Sequence, residues 1–505
     1  LFKTEVFQDS IDTDLRLCYN QPDQLLQNRV YKLKTSVRKI DMTEGPLLGR
    51  ILVYAIPLML TGTLQLLYNA ADMIVVGRFV EDGETSLAAV GSCGALINLI
   101  INLFMGLSVG AGVLVAQNIG AKNYDEVKKT LHTAIPAATI LGVVVSILGF
   151  FTAEELLRLT GVEESVLAEA VPYMKAYMLG IPASMVYNYC ASMMRSAGDT
   201  THPLLFLSIS GMLNVVLNIV MVVVFGLGAV GVGIATAIST WLSMILILGF
   251  MLRDDGALHL DPKLLKIHPD KLLRIVKIGI PAGLQGCIFS LSNVVIQSAV
   301  NSFGKTIVAG NTAVQNIDGF LYTAMNSFYH ASLAFIGQNV GANKLHRVKK
   351  IVLYCSLLVV ACGTSMGIAA YTLGPRLIGL YAPDNMGAIS AGMTRMSIVT
   401  LTYFLCGLME VGCGAMRGMG SSFIPMLISF IGSCALRILW TVTVFAATPT
   451  LEVLYYAYPV SWATTAAAHF ISSAFMLHHL KKKLNSYQDT EIMPGSKLEA
   501  LPKLK

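Results

Sequence analysis

Gln117-Asn118-Ile119-Gly120-Ala121, followed by Val127-Lys128-Lys129, is answered 221 residues later by Gln338-Asn339-Val340-Gly341-Ala342 and Val348-Lys349-Lys350. A second pair, Met194-Arg195 with Gly198 and Pro203 against Met416-Arg417 with Gly420 and Pro425, recurs at 222, and Ile56-Pro57 against Ile280-Pro281 recurs at 224. Three independent matches at nearly one offset identify a duplicated half. The glutamine boxes end long apolar runs, with a glycine suited to a helix C-cap and basic residues beyond it. By themselves they read as cap and turn rather than as a ligand site.

The material between the boxes is apolar to a degree that excludes a string of soluble domains: 54% of 505 residues are hydrophobic and 13% charged, against about 25% charged in a soluble protein. A spanning helix takes about 20 mainly apolar residues. Twelve such runs lie near 49–76, 87–116, 128–151, 168–192, 204–225, 230–252, 273–300, 308–336, 351–373, 388–413, 424–446 and 455–479. Six runs per repeat is an even number, so both halves enter the membrane in the same orientation and their pseudo-twofold runs along the membrane normal. The sequence therefore predicts an all-α membrane protein of twelve transmembrane helices in two six-helix lobes, 42–252 and 273–483, joined by a linker at 253–272. Residues 1–41 and 484–505 are polar and weakly periodic, and they read as a poorly ordered extension and tail.

Sorting Lys and Arg by loop tests the count, because basic residues accumulate on the cytoplasmic side. The N-terminus, the even-numbered loops and the C-terminus carry 29 basic residues, and the odd-numbered loops carry four: Arg78, Arg158, Lys305 and Arg376. Both termini are expected in the cytoplasm. The net charge of +6 is spent on these clusters and not on one basic face, so nucleic acid is not an expected partner. Nine cysteines, mostly inside apolar runs and without CxxC spacing, imply neither a disulfide framework nor a zinc site. Gly304-Lys305-Thr306 mimics the end of a phosphate loop, but Ala299 stands where its first glycine belongs, and no enzyme signature emerges.

An ionisable side chain within a bilayer costs at least about 2.5–3.5 kcal/mol on insertion scales, so acids inside spans point to function. There are three: Asp72, Asp318 and Glu410. Asp72 follows Tyr68 by one helical turn, Asn214 and Asn218 share one face of span five, and Thr236 lies in span six. The topology places Asp72, Asn218 and Thr236 each within about seven residues, roughly 10 Å, of the outer surface. One carboxylate with amide, hydroxyl and phenol oxygens suits a proton or a small hard cation such as Na⁺, with no other metal or cofactor called for. Glu410 precedes Arg417 by seven residues, as its repeat partner Asn188 precedes Arg195, and an ion pair closing the inner end is its plain reading. Asp318, Glu410, Asn188, Arg437 and Trp440 are the candidates for the cleft and substrate. The embedded Arg437 calls for a carboxylate partner, expected to be Asp318 or Glu410.

Met42-Thr43-Glu44-Gly45-Pro46-Leu47-Leu48, Ile56-Pro57-Leu58, Leu67-Tyr68-Asn69-Ala70-Ala71-Asp72, Leu213-Asn214 and Gly231-Val232-Gly233-Ile234-Ala235-Thr236 resemble the multidrug and toxic compound extrusion (MATE) transporters, in their DNA-damage-inducible-F-like branch. The resemblance covers about 42–484. It implies twelve helices in two six-helix lobes and efflux of amphipathic, often cationic compounds in exchange for H⁺ or Na⁺; a bacterial plasma membrane and a monomeric state are expected. It also implies an N-lobe ion site on Tyr68, Asp72, Asn214, Asn218 and Thr236. Asn218 stands where many of that branch carry a second Asp, which leaves Asp72 the one acid of the cluster. A flippase for lipid-linked precursors is the nearer rival and predicts several cationic side chains in the cleft, for which Arg437 and Arg395 are the candidates. A membrane sensor or scaffold is the farther rival and needs neither the duplication nor a carboxylate within a span.

Overall fold

The computed structural model describes residues 40–80, 83–383 and 385–490, and among these every regular element is helical. Twelve rods follow in order. The first six are α1 (Leu47–Phe79), α2 (Gly83–Gly120), α3 (Tyr124–Phe151), α4 (Glu164–Met178 continued by Ile181–Ser196), α5 (Thr201–Val224) and α6 (Gly228–Arg253). The second six are α7 (Pro269–Asn301), α8 (Lys305–Gly341), α9 (Leu345–Thr372), α10 (Met386–Gly418), α11 (Phe423–Phe445) and α12 (Leu451–Thr490). Among the described residues, nine of these are long and apolar enough to cross a membrane, and the other three are the interrupted α4 and the more polar α8 and α12. Large apolar side chains such as Phe151, 74% exposed, and Phe475, 73% exposed, face outward, where only lipid can cover them. The expected extension 1–41 lies outside the described residues up to residue 39, as does the tail beyond Thr490; α12 runs through the first residues of that tail.

The repeat found in the sequence is a repeat of structure. The turns after α2 and α8 are built alike, with Lys122 and Asn343 both at φ 56°, and Gly198 and Gly420 stand at φ 94° and 95° after α4 and α10. The lobes meet through the same helices of each half, α1 against α8 and α2 against α7. Glycines set how closely they approach. A Cβ on Gly106 of α2 would stand 2.0 Å from the Gly283 backbone nitrogen of α7, and one on Gly62 of α1 would stand 2.2 Å from Thr323 Cγ2 of α8. Such small-residue seams replace the hydrophobic effect, which cannot drive helix association in lipid.

Residues 253–272, read as a linker, dock on α3. The Asp261 backbone N–H donates to His132 Nε2 at 3.0 Å, the His268 N–H to Thr133 Oγ1 at 3.2 Å, and the buried Lys271 ammonium pairs with Glu126. The residues just before α1 cross to the other lobe: Asn339 Nδ2 donates to the Met42 carbonyl at 2.9 Å and Arg347 Nη2 to the Gly45 carbonyl at 3.1 Å.

Helix geometry departs from α where polar side chains cluster. One π-helical turn, Val220–Val224, follows Asn218, another, Met396–Thr400, follows Arg395, and two more, Phe430–Ala435 and Thr441–Phe445, flank Arg437. Each π turn inserts a residue and rotates the side chains beyond it, as is common at functional positions.

Candidate functional site

Four of the five residues of the N-lobe cluster form one chain of hydrogen bonds across three helices. Asn218 Nδ2 donates to Asp72 Oδ1 and to Asn214 Oδ1 at 3.2 Å, and Asn214 Nδ2 donates to Thr236 Oγ1 at 3.3 Å. Spacing explains the arrangement: Asn214 and Asn218 lie one turn apart on α5, facing α1 and α6. Tyr68 shares the face of Asp72, but its hydroxyl donates to the Ser208 carbonyl at 3.3 Å, and its ring rests on Gly211, where a Cβ would come within 1.9 Å. Asn218 Oδ1 is buried with no donor among the described residues. A buried acceptor beside a carboxylate is costly unless something positive meets it. Asp72 and this oxygen, with the Thr236 hydroxyl and the Asn214 carbonyl, fit a bound proton or a small hard cation in the chemistry of their donors.

The cluster opens on a central cavity of about 540 Å³ lined by both lobes. Asp72, Asn214 and Thr236 face it from one side, and Gln285, Tyr322 and Glu410 from the other. At one end the cavity is shut by the two repeated boxes. Gln117 Nε2 at the end of α2 donates to the Gly418 carbonyl of α10 at 3.0 Å, and Gln338 Nε2 at the end of α8 donates to the Ser196 carbonyl of α4 at 2.8 Å. Both bonds cross between lobes and are images of each other under the pseudo-twofold. Gly120 and Gly341 make the closure possible, since a Cβ on either would stand 1.9 Å from the carbonyl oxygen of Gln338 or Gln117 respectively. The boxes are therefore more than caps: each repeated motif in one half grips the other repeated motif in the second half.

Not every expected cleft residue reaches the cavity. Glu410 and Asn188 line it. Asp318 does not. It is buried between α8 and α10, where Arg395 Nη2 donates to Oδ2 at 2.9 Å and Thr400 Oγ1 to Oδ1 at 2.7 Å, and Arg395 also reaches Asn311 Oδ1 at 3.0 Å. Arg437 pairs with neither Asp318 nor Glu410, contrary to expectation. Its Nε donates to Ser461 Oγ at 2.9 Å and its Nη1 to Asn293 Oδ1 at 3.1 Å, and its guanidinium lies 4.5 Å from the Tyr458 ring centre. Hydroxyl, amide and ring faces disperse the charge that a carboxylate was expected to neutralise. Trp440 packs inside the C-lobe and donates Nε1–H to the Val453 carbonyl at 2.8 Å. The expected Glu410–Arg417 ion pair is absent among the described residues, because Arg417 is held instead by Tyr329 Oη at 2.6 Å and Gln285 Oε1 at 2.8 Å.

The Asp318–Arg395 pair thus belongs to the C-lobe frame, and its loss should be felt as stability. Removing one partner of a buried pair costs about 3–5 kcal/mol, whereas removing both costs far less. Asp318→Asn is expected to lower the thermal midpoint of the purified protein strongly, and Asp318→Asn with Arg395→Gln to recover most of it; equal midpoints for wild type and Asp318→Asn would remove the pair from the frame.

Several cavity residues were passed over in the sequence. Asn98 and Asn102 of α2 and Tyr177 of α4 face the cavity, as do Arg195, Arg417 and His330. The asparagines are four apart inside an apolar run, a signal that was there to be read. In the sequence Arg195 reads as a repeat marker, and Arg417 as a repeat marker and the partner of Glu410; neither reads as a cavity residue.

A protein-family model described as MatE matches residues 57–220 and 281–443, two segments that begin 224 residues apart and so fall one on each lobe. Among curated relatives, the chain is 27% identical over 385 residues to the "Probable multidrug resistance protein YoeA" of Bacillus subtilis (strain 168), covering 75% of this chain and 82% of that one. It is 22% identical over 440 residues to the "Multidrug export protein MepA" of Staphylococcus aureus (strain bovine RF122 / ET3-1), covering 86% and 94%. Among solved structures, "Crystal structure of MATE in the straight conformation" superposes with TM-score 0.82 at 20% identity over 89% of this chain and 100% of that one. "Outward-facing conformation of a multidrug resistance MATE family transporter of the MOP superfamily" gives 0.82 at 19%, over 89% and 100%.

Proposed function

The chain belongs to the MatE family of multidrug and toxic compound extrusion transporters, and from that membership we propose that it is a secondary active exporter of amphipathic, cationic organic compounds. Export is coupled to H⁺ or Na⁺ entry by alternating access in a bacterial plasma membrane. Asp72 binds the coupling ion, with Asn218, Asn214 and Thr236 around it and Tyr68 beside it. The observation that carries this reading is the unpartnered Asn218 Oδ1 next to Asp72, in a polar chain that opens on a cavity shared by both lobes.

The 29 to 4 charge split supports a cytoplasmic position for the box end. With that end sealed, we read the described conformation as outward-facing. Rocking the lobes apart at the boxes would convert it to the inward-facing state, by breaking the two symmetric glutamine bonds, the two glycine contacts and the bonds from Asn339 and Arg347 to the residues before α1. The flippase reading requires a cationic cavity. Arg437 and Arg395 do not line the cavity; Arg195 and Arg417 do, but Asp72 and Glu410 match them in number, so the lining as a whole is not the cationic one that reading requires.

Antiport demands that ion and substrate oppose each other, and that opposition is reciprocal in free energy. In detergent-purified protein, the affinity for a fluorescent organic cation should fall as the coupling ion is raised, either H⁺ or Na⁺, by about 5- to 150-fold. Asp72→Asn should abolish that dependence and leave binding. Binding that ignores both ions in the wild type would contradict ion-coupled export.

A further inference from the structure

Arg195 ends α4 and lines the central cavity, yet the hydrogen bond its guanidinium makes among the described residues runs from Nε to the Ala191 carbonyl of its own helix, at 3.1 Å. A guanidinium has five N–H donors. The four on Nη1 and Nη2 meet no acceptor among the described residues, and no carboxylate neutralises the charge. The other arginines embedded in the lobes are ligated through their Nη atoms: Arg395 by Asp318 and Asn311, Arg417 by Tyr329 and Gln285, and Arg437 by Asn293. Arg195 is the exception among them, and it is the repeat image of Arg417.

On the opposite wall Glu410 of α10 is 6% exposed, lines the same cavity, and has no hydrogen bond or ion pair among the described residues. Its repeat image, Asn188 on α4, is neutral and donates to the Ser184 carbonyl at 2.8 Å. The duplication is therefore broken in residue type at Asn188 and Glu410, and in ligation alone at Arg195 and Arg417. Among the described residues, the α4 wall presents Arg195 with no carboxylate bound to it, and the α10 wall presents Glu410 without a hydrogen bond beside Arg417, whose Nη atoms are already held by Tyr329 and Gln285; His330 lines the same cavity. Between the two walls the lining includes apolar Leu207 and Phe289. A buried charge that lacks a protein partner is tolerated where a ligand supplies the counter-charge.

We propose that this end of the cavity is a two-pole site for amphipathic zwitterions, in which Glu410 takes the cationic group of the substrate and Arg195 its carboxylate. The proposal rests on the exporter reading for its transport consequence. The site itself is tested by binding alone.

The test uses a matched pair of dyes, rhodamine B and rhodamine B ethyl ester, which share the xanthylium cation and differ in whether the carboxylate is free. Fluorescence polarisation with the purified full chain, at mildly alkaline pH and with no gradient, gives both affinities. Charge-assisted hydrogen bonds to Arg195 should make the wild type prefer the free acid about tenfold. Arg195→Gln should erase that preference and leave the ester bound as before, which also reports that the variant is folded, and Arg195→Lys should keep part of it. Glu410→Gln should weaken both dyes together. A wild type that binds acid and ester equally, an Arg195→Gln variant that weakens both alike, or a Glu410→Gln variant that weakens neither overturns the proposal. A protein that shows the acid preference but moves nothing against a gradient would refute the exporter reading and leave the two-pole site standing.

Discussion

Asp72→Asn is expected to abolish uphill transport while the protein remains folded and still binds substrate. The side chain is the one carboxylate in the chain of hydrogen bonds that runs through Asn218 and Asn214 to Thr236. An amide is nearly isosteric and can replace the carboxylate in packing, but it neither holds a transferable proton nor offers a formal charge to Na⁺. Ion occupancy is then lost as the quantity that distinguishes the two states of the cavity, and only a differential interaction can shift such an equilibrium. In vesicles, downhill exchange of labelled for unlabelled substrate should persist in the variant, and gradient-driven accumulation should fall to the level of empty vesicles. Asn218→Asp should alter the pH or Na⁺ dependence without destroying activity, because it adds a second acid within the same chain. If Asp72→Asn still accumulates substrate at the wild-type rate, coupling resides elsewhere, and Glu410 is the next carboxylate on the cavity wall.

Gly341→Ala is expected to loosen the sealed end of the cavity, and Gly120→Ala to do the same through the image contact. Each new Cβ would be driven against a backbone carbonyl oxygen, of Gln117 or Gln338, which cannot swing aside as a flexible side chain would. Overpacking of this kind costs about 1–3 kcal/mol, or about 5- to 150-fold in the equilibrium between sealed and open ends. Spin labels at Lys129 and Lys350, one on each lobe beside the boxes, should report a longer and broader distance distribution in either variant, with transport reduced at least in proportion. An unchanged distribution in the double variant Gly120→Ala/Gly341→Ala would show that the boxes do not form the seal.

The repeat boxes illustrate how far the sequence carries. Their recurrence at a nearly constant offset was enough to establish two six-helix halves in the same orientation, because duplication and an even span count leave one symmetry. What the boxes do was not legible. Gln117 and Gln338 exchange hydrogen bonds with the opposite lobe, and sequence spacing says nothing of distances across a pseudo-twofold. The N-lobe cluster was legible for the converse reason. Asn214 and Asn218 share a face at four-residue spacing, and the expected topology puts Asp72 and Thr236 at one level, where the structure links them through these two asparagines. Arg437 failed where rotation mattered: the π turns on either side of it, and the one after Arg395, turn side chains through angles that no regular helical wheel predicts. Arg395 took the carboxylate that Arg437 was expected to hold.

Central to the account is that the free energy of an ion gradient, entering at Asp72, moves an organic cation through the shared cavity. The most direct measurement loads purified wild-type protein into vesicles, imposes a proton gradient or a sodium gradient one at a time, and follows a fluorescent organic cation from equal concentrations on both sides. The account predicts accumulation against the cation's own gradient under one of the two ion gradients, collapse of that accumulation when the ion gradient is dissipated by an ionophore, and none in Asp72→Asn. Equilibration without accumulation under both gradients would contradict it.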